Sequence, residues 1–210
     1  MTDRGTKGPD DPKRVSRRGF LTTVSSTAAA AAVAGAAIPV AAEPAPRDES
    51  EPTRIVLNVN GRKYRLGVEP RETLISVLRE RLGLIGAKPG CERGECGACT
   101  VLLDGTTRYS CMTLAVEAQD KVITTVEGLA QGEELSDVQK AFVHEDGYQC
   151  GFCTPGQVMA AEGLLRRNPN PSIDEIRLGM SGNLCRCGAY GHIFKAVQRA
   201  ASTRKSGGAQ

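Results

Sequence analysis

Eight cysteines constrain this chain more than any other feature of its sequence. They fall into two sets of four, Cys91, Cys96, Cys99 and Cys111, then Cys150, Cys153, Cys185 and Cys187. Three of them lie among glycines in residues 91–99, CERGECGAC. A packed core is filled by bulky apolar side chains, and residues 91–99 contain none. The segment is therefore typical of a loop that holds something other than side chains.

The first set has the spacing Cys-x4-Cys-x2-Cys followed by a distant fourth cysteine, which is the plant-type 2Fe–2S spacing. A negative cluster needs backbone N–H groups pointing inward, and Gly90, Gly94 and Gly97 permit the close backbone approach that this requires. Structural zinc usually has paired Cys-x2–4-Cys ligands, and disulfides need no glycines, so both alternatives fit less well. The predicted ligands of this 2Fe–2S cluster are Cys91, Cys96, Cys99 and Cys111.

The second set pairs its cysteines as Cys-x2-Cys and Cys-x-Cys in a helical context. Taken alone, this spacing leaves a zinc site open. A Rieske centre needs two histidines interleaved with two cysteines, and the sequence lacks that arrangement. The second set therefore indicates a metal site without specifying the metal.

The formal net charge of +3 is concentrated at the N-terminus. Residues 1–42 contain six Lys or Arg and three Asp, which leaves 21 basic and 21 acidic residues in the rest of the chain. A nucleic-acid-binding protein needs a surplus of cations to face the phosphates. We therefore expect no nucleic-acid partner.

The N-terminal segment has the pattern of an export signal. Arg17 and Arg18 lie in a motif similar to the twin-arginine signal, with Thr22 at the position usually held by Lys. Small apolar residues follow as far as Ala42, as in secretory signals. The sequence predicts a twin-arginine signal peptide over residues 1–42 and a periplasmic location, reached by a chain exported after it has folded.

A single membrane anchor is the alternative for this segment. The apolar run is nearly long enough to span a bilayer, but it consists mostly of Ala, so we expect no stable membrane anchoring. Cleavage is expected after Ala42 or after Ala36. The Pro-rich, charged residues 43–53 are predicted to be a flexible linker.

The body of the chain changes its periodicity near residue 129. Residues 54–128 are typical of short strands around one helix, with hairpin turns at Asn60-Gly61 and Asp104-Gly105. The helix is predicted over residues 73–82. Residues 129–203 are typical of helices, and residues 204–210 are expected to be a disordered tail.

Four helices are expected in the second part. The first covers residues 136–145, and the second is capped by Thr154 and ends near Arg167. The third is capped by Ser172 with Glu175 in a capping box. The predicted range of the fourth is 190–201.

Three segments make the chain resemble a known family: GCERGECGACTVLLDG, YQCGFCTPGQVM and MSGNLCRCGAYGHI. They are similar to the iron–sulfur domains of the xanthine dehydrogenase and aldehyde oxidoreductase family of molybdenum hydroxylases. Together with the export signal, they resemble the small subunits of periplasmic aldehyde oxidoreductases. The resemblance covers residues 54–203. It implies an α+β fold, with a β-grasp 2Fe–2S ferredoxin domain over residues 54–128 and a four-helix-bundle 2Fe–2S domain over residues 129–203.

The resemblance also implies roles for particular residues. It makes the first set the ligands of a distal cluster, near FAD, and gives Gln149 and Cys187 contacts with the pterin of a molybdenum cofactor. The proximal cluster, near that cofactor, is held by Cys150, Cys153, Cys185 and Cys187. No catalytic residue is expected in this chain.

The implied partners are a molybdopterin-binding large subunit and an FAD-binding subunit, in a heterotrimer. The chain is then the electron-transfer subunit of an oxidoreductase whose substrate site, for aldehydes or related compounds, lies on a partner. A free-standing periplasmic diferredoxin is the main alternative, and a secreted binding protein stabilised by zinc or disulfides is a third.

Overall fold

A computed structural model of the chain describes residues 52–207, with side chains described through residue 205. The predicted signal peptide and all but the last two residues of the predicted linker lie outside this range. Among the described residues, no helix combines the length and apolar character that crossing a membrane requires. Thr53, predicted to end the linker, already begins the first strand.

The first part of the described chain is a mixed five-stranded sheet. The strands are β1 Thr53–Val59, β2 Arg62–Val68, β3 Thr100–Leu103, β4 Thr106–Tyr109 and β5 Val122–Thr124. Their order in the sheet is β2-β1-β5-β3-β4. β1 pairs in parallel with β5, and the other neighbours are antiparallel.

Both predicted hairpin turns are confirmed. Asn60 and Gly61 have φ values of 51° and 77°, and Asp104 and Gly105 have 49° and 77°. Positive φ at both central residues is the requirement of a type I′ turn, whose twist matches that of the strands it joins. The second hairpin is the one that matters for the site, because its two strands carry the chain between two cysteines of the first set.

The predicted helix over residues 73–82 is present but is wound differently. One α-helical turn, α1 (Leu74–Ser76), continues as a π-helical turn over Val77–Arg81. The backbone N–H of Leu82 donates to the Val77 carbonyl, five residues back. Hydrophobic spacing locates a helical face but does not distinguish hydrogen bonding to the fourth residue from bonding to the fifth.

Four helices follow the sheet in the described residues: α2 Asp137–His144, α3 Thr154–Arg167, α4 Ile173–Gly179 and α5 Tyr190–Gly207. The predicted capping box of Ser172 and Glu175 is confirmed. The predicted cap Thr154 is wrong, because Cys153 occupies the N-cap and Thr154 is the first helical residue. Cys153 already has αR dihedral angles. The helical conformation therefore begins one residue before the position that the predicted cap at Thr154 implies.

The last helix is longer than predicted. α5 continues past Ala201 to Gly207 and so includes the first residues of the segment expected to be a disordered tail. Arg204 forms ion pairs with Glu162 of α3 and Asp137 of α2. These pairs anchor the end of α5, which explains why the helix does not stop where its apolar periodicity ends.

Buried side chains form two clusters, one beneath the sheet and one among the helices. The turn at Val126–Leu129 lies between the two parts of the chain, where the predicted boundary falls. Gly163 of α3 lies against β3 and β4, since a β-carbon there would be 3.2 Å from Leu102 Cδ2. The described part of the chain is one compact unit, so the helices are packed onto the sheet.

Candidate metal centres

The first cysteine set is assembled by the loop after α1 and by the β3–β4 hairpin. The loop carries Cys91, Cys96 and Cys99, and Cys111 lies in the short 3-10 helix that follows β4. The hairpin closes the set, since the Ser110 backbone N–H and hydroxyl both donate to the Cys99 carbonyl, at 3.3 and 2.8 Å. A long sequence separation between the third and fourth cysteines thus becomes a short distance in space.

The four thiols of this set form two pairs. Cys96 lies close enough to Cys91 to lower its pKa, and Cys111 lies close enough to Cys99 to affect the pKa of that thiol. Cys99 and Cys111 are buried, whereas Cys91 and Cys96 are partly exposed. All four lie close enough to Tyr109 for their charges to raise its pKa, after the larger effect of burial.

Backbone N–H groups point at the thiols, as the glycine content predicts. Hydrogen bonding from the Arg93 backbone is the main cause that lowers the pKa of Cys91 to about 6, and the Glu95 N–H also donates to its sulfur, at 3.3 Å. Burial raises the pKa of Cys99 to about 12. Gly97 has φ +68°, a conformation that favours glycine. A β-carbon on Gly90 would lie 3.0 Å from the Cys96 sulfur, so glycine makes room for the set there.

The second set lies at the start of α3 and in the loop between α4 and α5. Its thiols also pair, Cys150 with Cys187 and Cys153 with Cys185. Burial raises the pKa of Cys153 to about 12, whereas hydrogen bonding from the Phe152 backbone is the main cause that lowers the pKa of Cys150. Cys150 and Cys187 are exposed, and Cys185 is buried. One pair of this set therefore faces the surface.

Each set supplies four free thiols, which is the ligand number of a 2Fe–2S cluster and also of a structural zinc site. Zinc in a structural site is held by four ligands around one ion. A 2Fe–2S cluster takes four thiolates for two irons, which is two thiolates for each iron. All eight cysteines are free thiols, so the residues fit two 2Fe–2S clusters.

The two sets are neighbours in space. A cavity of about 410 Å³ is lined by Cys91 and Cys96 of the first set and by Cys150, Cys153 and Cys185 of the second. Sequence reasoning placed the sets in separate domains and did not predict this shared wall. It follows from the packing of the helices onto the sheet.

The two residues predicted to contact a pterin lie at the exposed side of the second set. Gln149 is exposed and directly precedes Cys150, and Cys187 is the exposed thiol paired with Cys150. Phe152 is half exposed beside them. The surface is therefore open to a partner, and the pterin contacts themselves stay predictions.

One residue near the sites was not identified from the sequence. Tyr109, at the end of β4, donates from its hydroxyl to the Gly182 carbonyl at 3.0 Å and so joins the sheet to the loop of the second set. In the sequence, only its position two residues before Cys111 indicates that Tyr109 lies near the first set. Spacing alone does not show that an aromatic residue reaches a loop from the other half of the chain.

Family models match both parts of the chain. A 2Fe-2S iron-sulfur cluster binding domain matches residues 57–130, and a [2Fe-2S] binding domain matches residues 125–198. A mixed sheet followed by helices, with four paired thiols in each part, thus defines a protein with two 2Fe–2S-binding domains.

Relatives narrow this class to a family. The chain is 42% identical over 216 residues to the aldehyde oxidoreductase iron-sulfur-binding subunit PaoA of Escherichia coli O157:H7, covering 95% of this chain and 94% of that protein. It is 44% identical to the small FeS subunit of nicotinate dehydrogenase from Eubacterium barkeri, covering 70% of this chain and 93% of that protein. The chain belongs to the iron–sulfur subunits of the molybdenum hydroxylases.

Solved structures agree with this assignment. A chain of quinoline 2-oxidoreductase from Pseudomonas putida 86 is 48% identical, with a TM-score of 0.72 over 75% of this chain and 99% of that chain. Aldehyde oxidoreductase from Desulfovibrio gigas is 42% identical, with a TM-score of 0.70 over 74% of this chain but 17% of that longer chain. The same two domains therefore occur both as a small chain and within a longer one.

Proposed function

We propose that this chain is the electron-transfer subunit of a molybdenum hydroxylase, with a distal 2Fe–2S cluster on the first cysteine set and a proximal one on the second. The observation that carries the proposal is the cavity wall shared by the two sets. Two one-electron sites held side by side in one compact unit are suited to passing electrons singly between partners.

The clusters, when bound, supply reversible one-electron oxidation and reduction. The chain's own residues hold and tune them. Burial of Cys99 and Cys111 excludes water from one side of the distal site, and backbone N–H groups at Cys91 offset negative charge. The exposed pair Cys150 and Cys187 leaves one side of the proximal site open, which suits a site that meets a partner's cofactor.

The partners we propose are a molybdopterin-binding large subunit, against the exposed side of the second set, and an FAD-binding subunit, nearer the first. The longer aldehyde oxidoreductase chain supports a large partner, because the domains similar to this chain make up only 17% of it. The helical second domain, with Gln149 beside Cys150, argues against the free-standing diferredoxin, because a mobile carrier does not require such a domain. We propose a heterotrimer and assign Gln149 and Cys187 to the pterin contact.

Aldehydes are the substrate class we propose for the complex. The alignment with PaoA covers 95% of this chain, whereas residues 54–210 make up about three quarters of it. The similarity to an aldehyde oxidoreductase subunit therefore includes residues before position 54. The match to the nicotinate dehydrogenase small subunit covers 70% of the chain. We also propose an export signal over residues 1–42 and a periplasmic location, on the twin-arginine pattern at Arg17 and Arg18.

Purification of the complex from its native host tests the function. We expect about four Fe and four sulfide per chain, and two distinct electron-paramagnetic resonance signals after reduction. Molybdenum and FAD should co-purify with the chain, and an aldehyde should reduce both clusters in the absence of other donors. A purified chain with stoichiometric zinc and no iron would overturn the proposal. A chain with four Fe but no co-purifying subunits would favour the diferredoxin.

A further inference from the structure

Asn183 joins the two cysteine loops with one side chain. It lies in the loop between α4 and α5, two residues before Cys185, and is 5% exposed. Its Nδ2 donates to the Gly97 carbonyl at 2.8 Å and to Thr100 Oγ1 at 3.1 Å. Gly97 directly follows Cys96 and Thr100 directly follows Cys99, so both protons of the Asn183 amide are used on residues next to cysteines of the first set.

The backbone of Asn183 is held from a third direction. Its carbonyl accepts a hydrogen bond at 2.9 Å from Nε2 of Gln157, which lies in the first turns of α3 and is 1% exposed. The Thr100 hydroxyl in turn donates to the Gly97 carbonyl at 2.6 Å. Asn183, in the loop of the second set, is therefore hydrogen-bonded both to α3 and to the start of β3.

We propose that Asn183 is a positioning residue that sets the separation and relative orientation of the two 2Fe–2S sites, an inference that rests on the proposed function. A buried amide that loses its hydrogen-bond partners is destabilising, because its donors are then neither bonded nor hydrated. The loop therefore has one favoured position, in which both protons of the amide are satisfied. Magnetic interaction and electron transfer between two sites depend steeply on their separation, so this side chain affects both without touching either cluster's ligands.

Other contacts between the loops make the effect of Asn183 separable from folding. The Leu184 backbone N–H donates to the Cys96 carbonyl at 2.9 Å, and the Tyr109 hydroxyl donates to the Gly182 carbonyl. Neither contact uses the side chain at position 183. Its removal should loosen the two loops relative to each other while leaving both cysteine sets intact.

The test is Asn183→Ala in the purified complex, with Asn168→Ala as the matched control. Asn168 lies just after α3 and donates to Glu175 at an exposed position, so the same atoms are removed away from both sets. We measure iron content, the signal of each singly reduced cluster, and the relaxation enhancement of one cluster by the other in fully reduced protein. We expect Asn183→Ala to keep its iron and both signals but to lose the wild-type enhancement, and Asn168→Ala to match wild type in all three.

Full iron content with an enhancement identical to wild type in Asn183→Ala would overturn the inference. If that variant does not load iron, Thr100→Val decides instead, because it keeps the side-chain volume and removes one of the two oxygens that Asn183 binds. An altered enhancement at full iron content in Thr100→Val supports the role of Asn183, and an unchanged one refutes it. Failure of the proposed function is distinguishable, since wild-type protein would then lack the two iron signals altogether.

Discussion

A β-carbon on Gly156 would overlap the carbonyl oxygen of Gly97, so the loop of the first cysteine set lies directly on the first turn of α3. The same β-carbon would be 3.0 Å from the Ala98 Cα. Because α3 begins immediately after Cys153, this contact brings a backbone segment of the first set against the helix end that carries the second. The two sites are held together by backbone packing and not by a linker.

Gly97→Ala should damage the first site more than an equally strained control. Gly97 has φ +68°, and its β-carbon would also lie 2.7 Å from Asn183 Cγ. The strain of positive φ costs about 1–2 kcal/mol, and the overlap adds about 1–3 kcal/mol. The control Gly105→Ala has φ +77° but only one atom near its β-carbon, at 3.9 Å.

Urea unfolding and iron content measure this difference. We expect Gly105→Ala to keep its iron and Gly97→Ala to lose iron from the first site. Equal losses of unfolding free energy in the two variants would mean that the close approach at Gly97 is not required.

The two cysteine sets should respond independently to loss of a ligand. Cys96→Ser is expected to alter the distal signal, and Cys153→Ser the proximal one, because each thiol pairs within its own set. Electron-paramagnetic resonance of each reduced variant is the measurement. Loss of both signals in a folded single variant would show that ligands are shared between the sets.

The ion pairs of Glu162 should stabilise the packing of α3 against α5. Glu162 is 5% exposed overall, and its carboxylate binds Arg166 at 2.8 Å and also Arg204. Glu162→Ala leaves Arg166 without its partner and leaves Arg204 with only the longer contact to Asp137. We expect a loss of about 2 kcal/mol in unfolding free energy, reduced because both arginines reach solvent. Glu69→Ala, which breaks an exposed pair with Arg71, should cost less than about 0.5 kcal/mol. Similar losses in the two variants would contradict this account.

The capping box of α4 should weaken in acid. The Ser172 backbone N–H, and then its hydroxyl, donate to the Glu175 carboxylate and lower its pKa. A lowered pKa in the folded state means that the stabilisation is present above the unfolded pKa, about 4.3, and is lost as the pH falls through the folded pKa. Hydrogen exchange of α4 amides at matched pH is the measurement.

We expect Glu175→Gln to reduce the protection of α4 near pH 6 and to differ less from wild type as the pH falls through the folded pKa of Glu175. Glu133→Gln, at an exposed position before α2, should leave α4 protection unchanged. A constant difference between Glu175→Gln and wild type across the titration would show that the charge of Glu175 does not contribute.

Export should depend on Arg17 and Arg18. In the proposed complex the cofactors are expected to be inserted in the cytoplasm, so we expect assembly to precede export. The double change to Lys should leave an active complex in the cytoplasm, because the motif is read by a receptor. Dye reduction with an aldehyde in each cell fraction measures this, and unchanged periplasmic activity would show that export does not use this motif.

The amino-acid sequence by itself determined the features whose causes are local. Cysteine spacing identified the first 2Fe–2S set, Asn60-Gly61 and Asp104-Gly105 identified the hairpins, and Ser172 with Glu175 identified the start of α4. The hairpins and the capping box depend on residues a few positions apart, where backbone dihedral angles and side-chain reach follow from residue type. The cysteine set was predicted from a spacing typical of plant-type 2Fe–2S proteins.

Only the tertiary structure decided how the two cysteine sets meet. The pairing of Cys153 with Cys185, the shared cavity wall and the hydrogen bonds of Asn183 all join segments that are far apart in sequence. The extended end of α5 likewise depends on Arg204 reaching Glu162. Such contacts are set by how the helices pack onto the sheet, and periodicity within one segment carries no information about which distant segment will lie against it.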